Sequence, residues 1–297
     1  MSKKKIRRGD RKDGTWIRDI DAMHAFTPLL MPHRADNEAF LSEQIETQPI
    51  YDYLERKNAE LGGVKLTLFH VILAALVKTV TLRPKMNRFI QGGRTYQRNV
   101  LSAAFVVKKQ FADNGGEALA YREFGPETTF NTLHAMLTEE ITACRRDDVT
   151  DNSTARMELL TKLPRFLLRF VVFILHRLDY YGRVPEFLVK TDPDYATLFI
   201  SNLGSIRLNA AYHHLNDWGT NSLFVVIGKK HEVPFYQPDG SVEMREVVNL
   251  GMTLDERIAD GYYYSKTVAL LRYLLEHPDL LDLPANEPVE VPGRVRA

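Results

Sequence analysis

The chain has 297 residues, 44% hydrophobic and 26% charged, a globular balance with apolar material for one large domain or two small ones. A formal net charge of +1 provides no global field toward nucleic acid or membrane, and nucleic acid is not expected as a partner. The single cysteine, Cys144, excludes an intrachain disulfide and fits a reducing, cytoplasmic setting; no His and Asn constellation makes it a nucleophile.

Residues 1–14 read as a basic, solvated arm, with Lys3, Lys4, Lys5, Arg7, Arg8, Arg11 and Lys12 set against only Asp10 and Asp13. No apolar stretch follows at once, so no signal peptide is expected. Two prolines bar a long helix from 19–34. A helix is predicted over 50–61, stopped by Gly62-Gly63. A second is predicted over 66–84, capped by Thr67, ended by Pro84, and apolar on most faces, hence buried. Residues 94–111 suggest strands, with a turn at 113–116 and a returning strand over 117–124. An amphipathic helix follows over 129–145, then a polar loop over 145–154.

Residues 156–189 read as helical, broken at Pro164, Gly182 and Pro185. Its run RFLLRFVVFILHRL (165–178) contains Arg169 and is shorter than the roughly 18–20 residues that span a bilayer, so a soluble protein is expected. The run is apolar well beyond one stripe; packing or subunit contact is the first expectation and membrane-surface docking the second, and a membrane is not expected among the partners. ATLFISNLGSI (196–206) reads as a buried strand entering a glycine turn. Strands at 221–233 and 243–254 form a hairpin across Pro238-Asp239-Gly240. A last helix is predicted over 265–277, and 283–297 forms an irregular, Pro-rich tail. The interleaving predicts one α/β domain with a mixed sheet over 15–282. No metal site is expected, since His213-His214-Asp217 is weak by itself, and neither a phosphate loop nor a dinucleotide fingerprint is present.

Several segments occur in a recognisable order: TWIRDIDAMHAF, the helix-to-strand stretch 67–107 with its P-x-x-N turn, LFISNLGSI, VVIGK, and LTLDERIADG before a helix. This order resembles the acyltransferase catalytic core of 2-oxoacid dehydrogenase complexes, of the chloramphenicol acetyltransferase superfamily; 156–195 departs from the pattern. The resemblance implies a two-layer α/β sandwich with a mixed sheet. It also implies a homotrimer with active sites between subunits, a larger cage assembly as an option, and acyl-coenzyme A as substrate. Carried onto this sequence, Ser201 matches the oxyanion-stabilising serine, Asp260 the structural aspartate, and Gly261 the turn glycine. Arg18 is the expected partner of Asp260, and Asn202 and Gly204 are expected to line the coenzyme A side. Glu256 stands where the family has its catalytic histidine.

As a free base, glutamate is roughly a hundredfold weaker than histidine, about 3 kcal/mol. Burial in a dry tunnel, or Asp255 turned inward beside it, raises its pKa and closes the gap. Against that, a protonated histidine stabilises developing negative charge and a protonated glutamate does not. His213 or His214 offers an alternative base from a neighbouring loop. Tyr262, Tyr263, Tyr264 and Trp218 read either as packing or as groups narrowing the tunnel. The functional expectation is acyl transfer between coenzyme A and a thiol, hydroxyl or amine. No lipoyl domain is expected within this chain, so the acceptor is a lipoyl group on another chain or a small diffusing molecule. The alternative is an inactive relative serving as a trimeric or cage-forming scaffold.

Overall fold

The computed structural model describes residues 7–61, 64–108, 117–144, 161–189 and 192–292. Its larger sheet has six strands: β2 (Glu38–Glu46), β9 (Val242–Asp255), β8 (Leu223–Tyr236), β7 (Leu198–Asn202), β5 (Leu101–Lys108) and β6 (Glu117–Phe124), in that spatial order. Strands β5, β7 and β8 are parallel neighbours and the other pairings are antiparallel, so the sheet is mixed, as expected. A smaller sheet orders β1 (Gly14–Trp16), β4 (Arg94–Arg98) and β3 (Arg88–Gln91).

Strand alternation divides the larger sheet into two faces. Leu198, Ile200, Leu223, Val225, Ile227, Leu250, Met252 and Leu254 are buried in the main core with residues of α2 (Gln48–Glu60), α3 (Leu68–Leu82), α4 (Phe130–Cys144) and α7 (Gly261–Glu276). Helix α3 is the centre of this layer. Every residue from His70 to Val80 is buried, as its all-round apolar sequence predicts. Its one buried cation, Lys78, donates to the Pro284 carbonyl at 2.6 Å and so ties the start of the C-terminal tail to the core.

The opposite face carries Phe199, Phe224 and Val226 and is covered by the irregular segment 207–220 through Ala210 and Leu215. Two glycines let that segment lie so close. A Cβ on Gly204 would sit 2.4 Å from the Gly228 carbonyl oxygen, and one on Gly228 would sit 2.4 Å from the Ala210 nitrogen.

Several boundaries differ from expectation. Helix α7 starts at Gly261 because the Asp260 carboxylate accepts from the Tyr263 N–H at 2.8 Å, enclosing three tyrosines whose aromatic character argues for strand. A nine-residue helix, α1 (Ala22–Leu30), forms despite Pro28, capped by Asp21. The basic arm is shorter than residues 1–14 suggest: Arg11 is buried and donates to the Asp179 carbonyl at 2.6 Å. Asp179 lies in α5 (Arg165–Tyr180), the long helix of the divergent segment; a four-residue helix, α6 (Glu186–Val189), follows. The turn expected at 113–116 and the loop at 145–154 lie outside the described residues. Among the described residues, no helix is long and apolar enough to cross a membrane.

His70 closes the first turn of α3, its Nδ1 accepting from the Thr67 N–H at 3.2 Å. Burial is the main cause that lowers its pKa to about 4, with His134 nearby adding to the shift. A histidine depressed below its unfolded value near 6.5 contributes stability that is complete above that value and is lost as pH falls toward 4. Urea unfolding followed across that window is therefore expected to show stability declining by up to about 3 kcal/mol. His70→Gln, which keeps the capping geometry, removes a large part of that decline.

Candidate active site

Strand β9 ends at Asp255, and a 3-10 turn, Glu256–Ile258, leads to the Asp260 cap of α7. The turn is fixed by a buried ion pair. Arg257 donates through Nε to Asp255 Oδ1 at 2.8 Å and through Nη2 to Oδ2 at 2.7 Å. Its Nη1 donates to the Met31 and Pro32 carbonyls, at 2.8 and 3.0 Å, at the end of α1. The Tyr264 hydroxyl donates to the Asp255 carbonyl at 2.8 Å. This bracing presents Glu256 outward, exposed in the single chain. Asp255 does turn inward, as considered from sequence, but Arg257 neutralises it, so it is not a repelling neighbour for Glu256.

Asp260 is the N-cap of α7. The Tyr263 N–H, its main hydrogen-bond donor, holds its pKa below the usual carboxylate range, and Lys85 Nζ lies 3.9 Å away. Arg18 does not pair with Asp260 within the chain. It lies over the Trp16 ring at 4.6 Å, donates to the Arg8 carbonyl at 2.8 Å and meets Asp10 at 3.5 Å. The local aromatic and carboxylate of the folded-back arm outcompete the distant aspartate.

Ser201 lies next to the end of β7, at mid-height of the sheet. It pairs in register with Val226, which pairs with Gly251, five residues before Glu256 on β9. At roughly 3.3 Å per residue this puts the two side chains about 16 Å apart along the strands, and about 10 Å apart across two strand spacings. Within one chain, Ser201 and Glu256 do not meet.

Past the end of β7 opens a groove of about 1020 Å³ lined by Asn202, Gly204, Thr67 and Tyr51; Ser201 is not among its lining residues, and strand alternation sets it on the other face with Phe199. Lys65, Arg207, Lys229 and Lys230 also line it, against one carboxylate, Glu55. Asn202 caps the turn after β7, its Oδ1 accepting from the Ser205 N–H at 3.3 Å. The groove thus joins a cationic rim to the end of β7 at Asn202.

The alternative bases are held elsewhere. His213 stacks on Phe224 at 3.8 Å and on His214 at 5.0 Å, with its Nδ1 on the His214 carbonyl at 2.8 Å. Both histidines are exposed on the 207–220 cover. Trp218 donates to Asp192 at 2.8 Å and packs edge-on against His176 and Tyr195, a structural role. Tyr264 is buried, Tyr263 lies beneath Arg83 at 3.7 Å, and Tyr262 is exposed.

Sequence reading missed two groups at this end. Arg257 was unassigned, although an arginine two residues after an aspartate at a strand end was the available signal. His24, on α1, sets Nδ1 2.7 Å from Asp21 and leaves Nε2 directed away from that pair, on a helix that packs against the Glu256 turn. Among the described residues, no group of three or more potential ligands could hold a metal.

Residues 188–283 match the family described as 2-oxoacid dehydrogenases acyltransferase (catalytic domain). That stretch contains Ser201, Asn202, Gly204, His213, His214, Glu256 and Asp260, and excludes Arg18. No curated protein matches the chain by sequence. Among solved structures, a probable dihydrolipoamide acetyltransferase from Listeria monocytogenes 4b F2365 superposes with a TM-score of 0.56 at 13% identity, covering 89% of this chain and 95% of that one. The cubic core of the pyruvate dehydrogenase multienzyme complex gives a TM-score of 0.56 at 13% identity, covering 89% and 93%. A chloramphenicol acetyltransferase gives 0.51 at 14% identity, covering 88% and 99%. The fold is that of the dihydrolipoamide acyltransferase cores and chloramphenicol acetyltransferase.

Removing one member of the Asp255–Arg257 pair strands a buried charge. Arg257→Ala is expected to lower unfolding free energy in urea by about 3–5 kcal/mol. The double substitution Asp255→Asn with Arg257→Met is expected to recover most of that loss, because no charge then remains buried.

Proposed function

We propose that the protein is a CoA-dependent acyltransferase that works as a homotrimer, with Glu256 of one copy completed by Ser201 of the next. The observation that carries this reading is the separation of two prepared half-sites on one sheet. A braced turn presents a carboxylate at the end of β9, and a serine lies two strands away on β7, whose end adjoins a cationic groove. A closed cyclic assembly brings different parts of neighbouring copies together, since one patch of each copy meets a different patch of the next. The family match over 188–283 and the trimer-forming resemblance support the same reading, and the cubic core among the structural neighbours supports a cage as the larger assembly.

Coenzyme A supplies an acyl thioester, and Lys65, Arg207, Lys229 and Lys230 suit its phosphates. Glu256 accepts the proton of the attacking thiol, hydroxyl or amine, a contribution of about 10²–10⁴ for a positioned base. The Ser201 hydroxyl donates to the oxygen on which negative charge grows, a role worth about 10²–10³. Asp260 and the Asp255–Arg257 pair hold the turn. The acceptor is a lipoyl group on another chain or a small diffusing molecule. A second reading, a scaffold without turnover, is favoured by one feature: Glu256 has no hydrogen-bond partner among the described residues, whereas a working base is commonly held by a third group.

Acyl transfer from acetyl-CoA to dihydrolipoamide and a panel of alcohols and amines separates the two. The expected result is measurable turnover, with kcat reduced about a hundredfold or more by Glu256→Gln and by Ser201→Ala. A well-formed oligomer without turnover supports the scaffold. Turnover indifferent to both substitutions removes this site.

A further inference from the structure

Helix α5 has a face that the fold does not use. Leu168, Val171, Leu175 and Leu178 are half-buried and Asp179 is buried, which defines the side turned toward the protein. Around the helix from them, Phe166, Phe170 and Phe173 are 76%, 58% and 61% exposed, with Leu167 and Ile174 also exposed beside them. Three large aromatic rings on one helix face cost too much to leave in water without a use.

The charges on α5 and its immediate flanks are mostly of one sign. Residues 161–185 contain Lys162, Arg165, Arg169, Arg177 and Arg183, and their one acid, Asp179, is matched by Arg11. Arg177 lies over the exposed rings of Tyr180 and Tyr181, at 5.8 and 5.4 Å, at the helix end. The chain passes the same end again at Arg11, immediately after the exposed Arg7 and Arg8. A second apolar face adjoins the first. Helix α1 exposes Met23, Phe26, Leu29 and Leu30 at helical spacing. Leu29 packs at Gly93, while the Tyr180 carbonyl packs at Gly92, so α1 and α5 flank one β3–β4 turn.

We propose that α5, with α1 beside it, docks the protein on the surface of an anionic lipid bilayer. A helix of 16 residues is about 24 Å long and carries three arginines, so it lies along the interface and does not cross. Its phenylalanines enter the boundary between headgroups and acyl chains, its arginines meet lipid phosphates, and Tyr180 and Tyr181 occupy the interfacial level. Charge selects this occupant over a second copy. Pairing two such faces would set five cations against five, whereas an anionic surface attracts all of them.

Flotation of the full chain with vesicles tests this, using phosphatidylcholine alone and phosphatidylcholine mixed with phosphatidylglycerol. The expected result is co-flotation with the mixed vesicles only, weakened by salt. It should fall about tenfold or more for the pair Phe170→Ser with Phe173→Ser, and likewise for Arg165→Gln with Arg169→Gln. All four side chains are exposed, and circular dichroism verifies that the variants remain folded. Protein that stays in the soluble fraction with the mixed vesicles overturns the proposal, as does flotation indifferent to both pairs. If the phenylalanine pair instead dissociates an oligomer in light scattering and leaves vesicle binding unchanged, the face is a subunit seam and the proposal fails.

Discussion

The buried pair of Asp255 and Arg257 sets the geometry on which the candidate site depends. Two charges removed from water persist only when their hydrogen bonds are nearly all made. Here one guanidinium spans both carboxylate oxygens and two carbonyls at the end of α1, and Tyr264 holds the Asp255 carbonyl from α7. The distant α1 therefore meets the consecutive β9 and α7 at one turn. With its neighbours on both sides drawn inward, Glu256 has only the outward direction left.

The end of β7 is organised by close backbone passage. Gly204 and Gly228 allow the chain after β7 to recross β8, where the Lys229 N–H donates to the Leu208 carbonyl at 2.7 Å. That crossing shapes the groove past Asn202 and brings Arg207 and Lys229 to its rim. The two ends are rigidly related through the ladder of β7, β8 and β9. A fixed separation within one chain suits a site completed between copies, because neither half must move to meet its complement.

The divergent segment is attached at a similar polar centre. The Tyr195 hydroxyl donates to Asp179 at 2.7 Å, Gln91 also bonds that carboxylate, and Arg11 holds the helix end. Burial raises the Asp179 pKa while the Tyr195 hydroxyl, Arg11 and Arg34 oppose the shift. The anchor lies at the C-terminal end of α5, so the rest of the helix projects its aromatic side freely. A segment that departs from the family pattern is thus joined to the common fold by one well-satisfied carboxylate.

Helix α1 and strand β2 were not legible in the sequence, which by itself determined most of the element order from α2 onward, the buried central helix and the β8–β9 hairpin, and carried the resemblance by which Ser201, Glu256 and Asp260 were singled out. These are local or periodic properties: glycine and proline punctuation, apolar repeats of 2 or 3.6, and short motifs. What only the tertiary structure decided was partnership. Arg18 turned to Trp16 and Asp10, Arg257 took the bracing role, Asp255 became neutralised, and Arg11 left the arm to meet a residue 168 positions away. A long charged side chain pairs with whichever carboxylate the fold brings near at the smallest desolvation cost, and sequence spacing does not encode that distance.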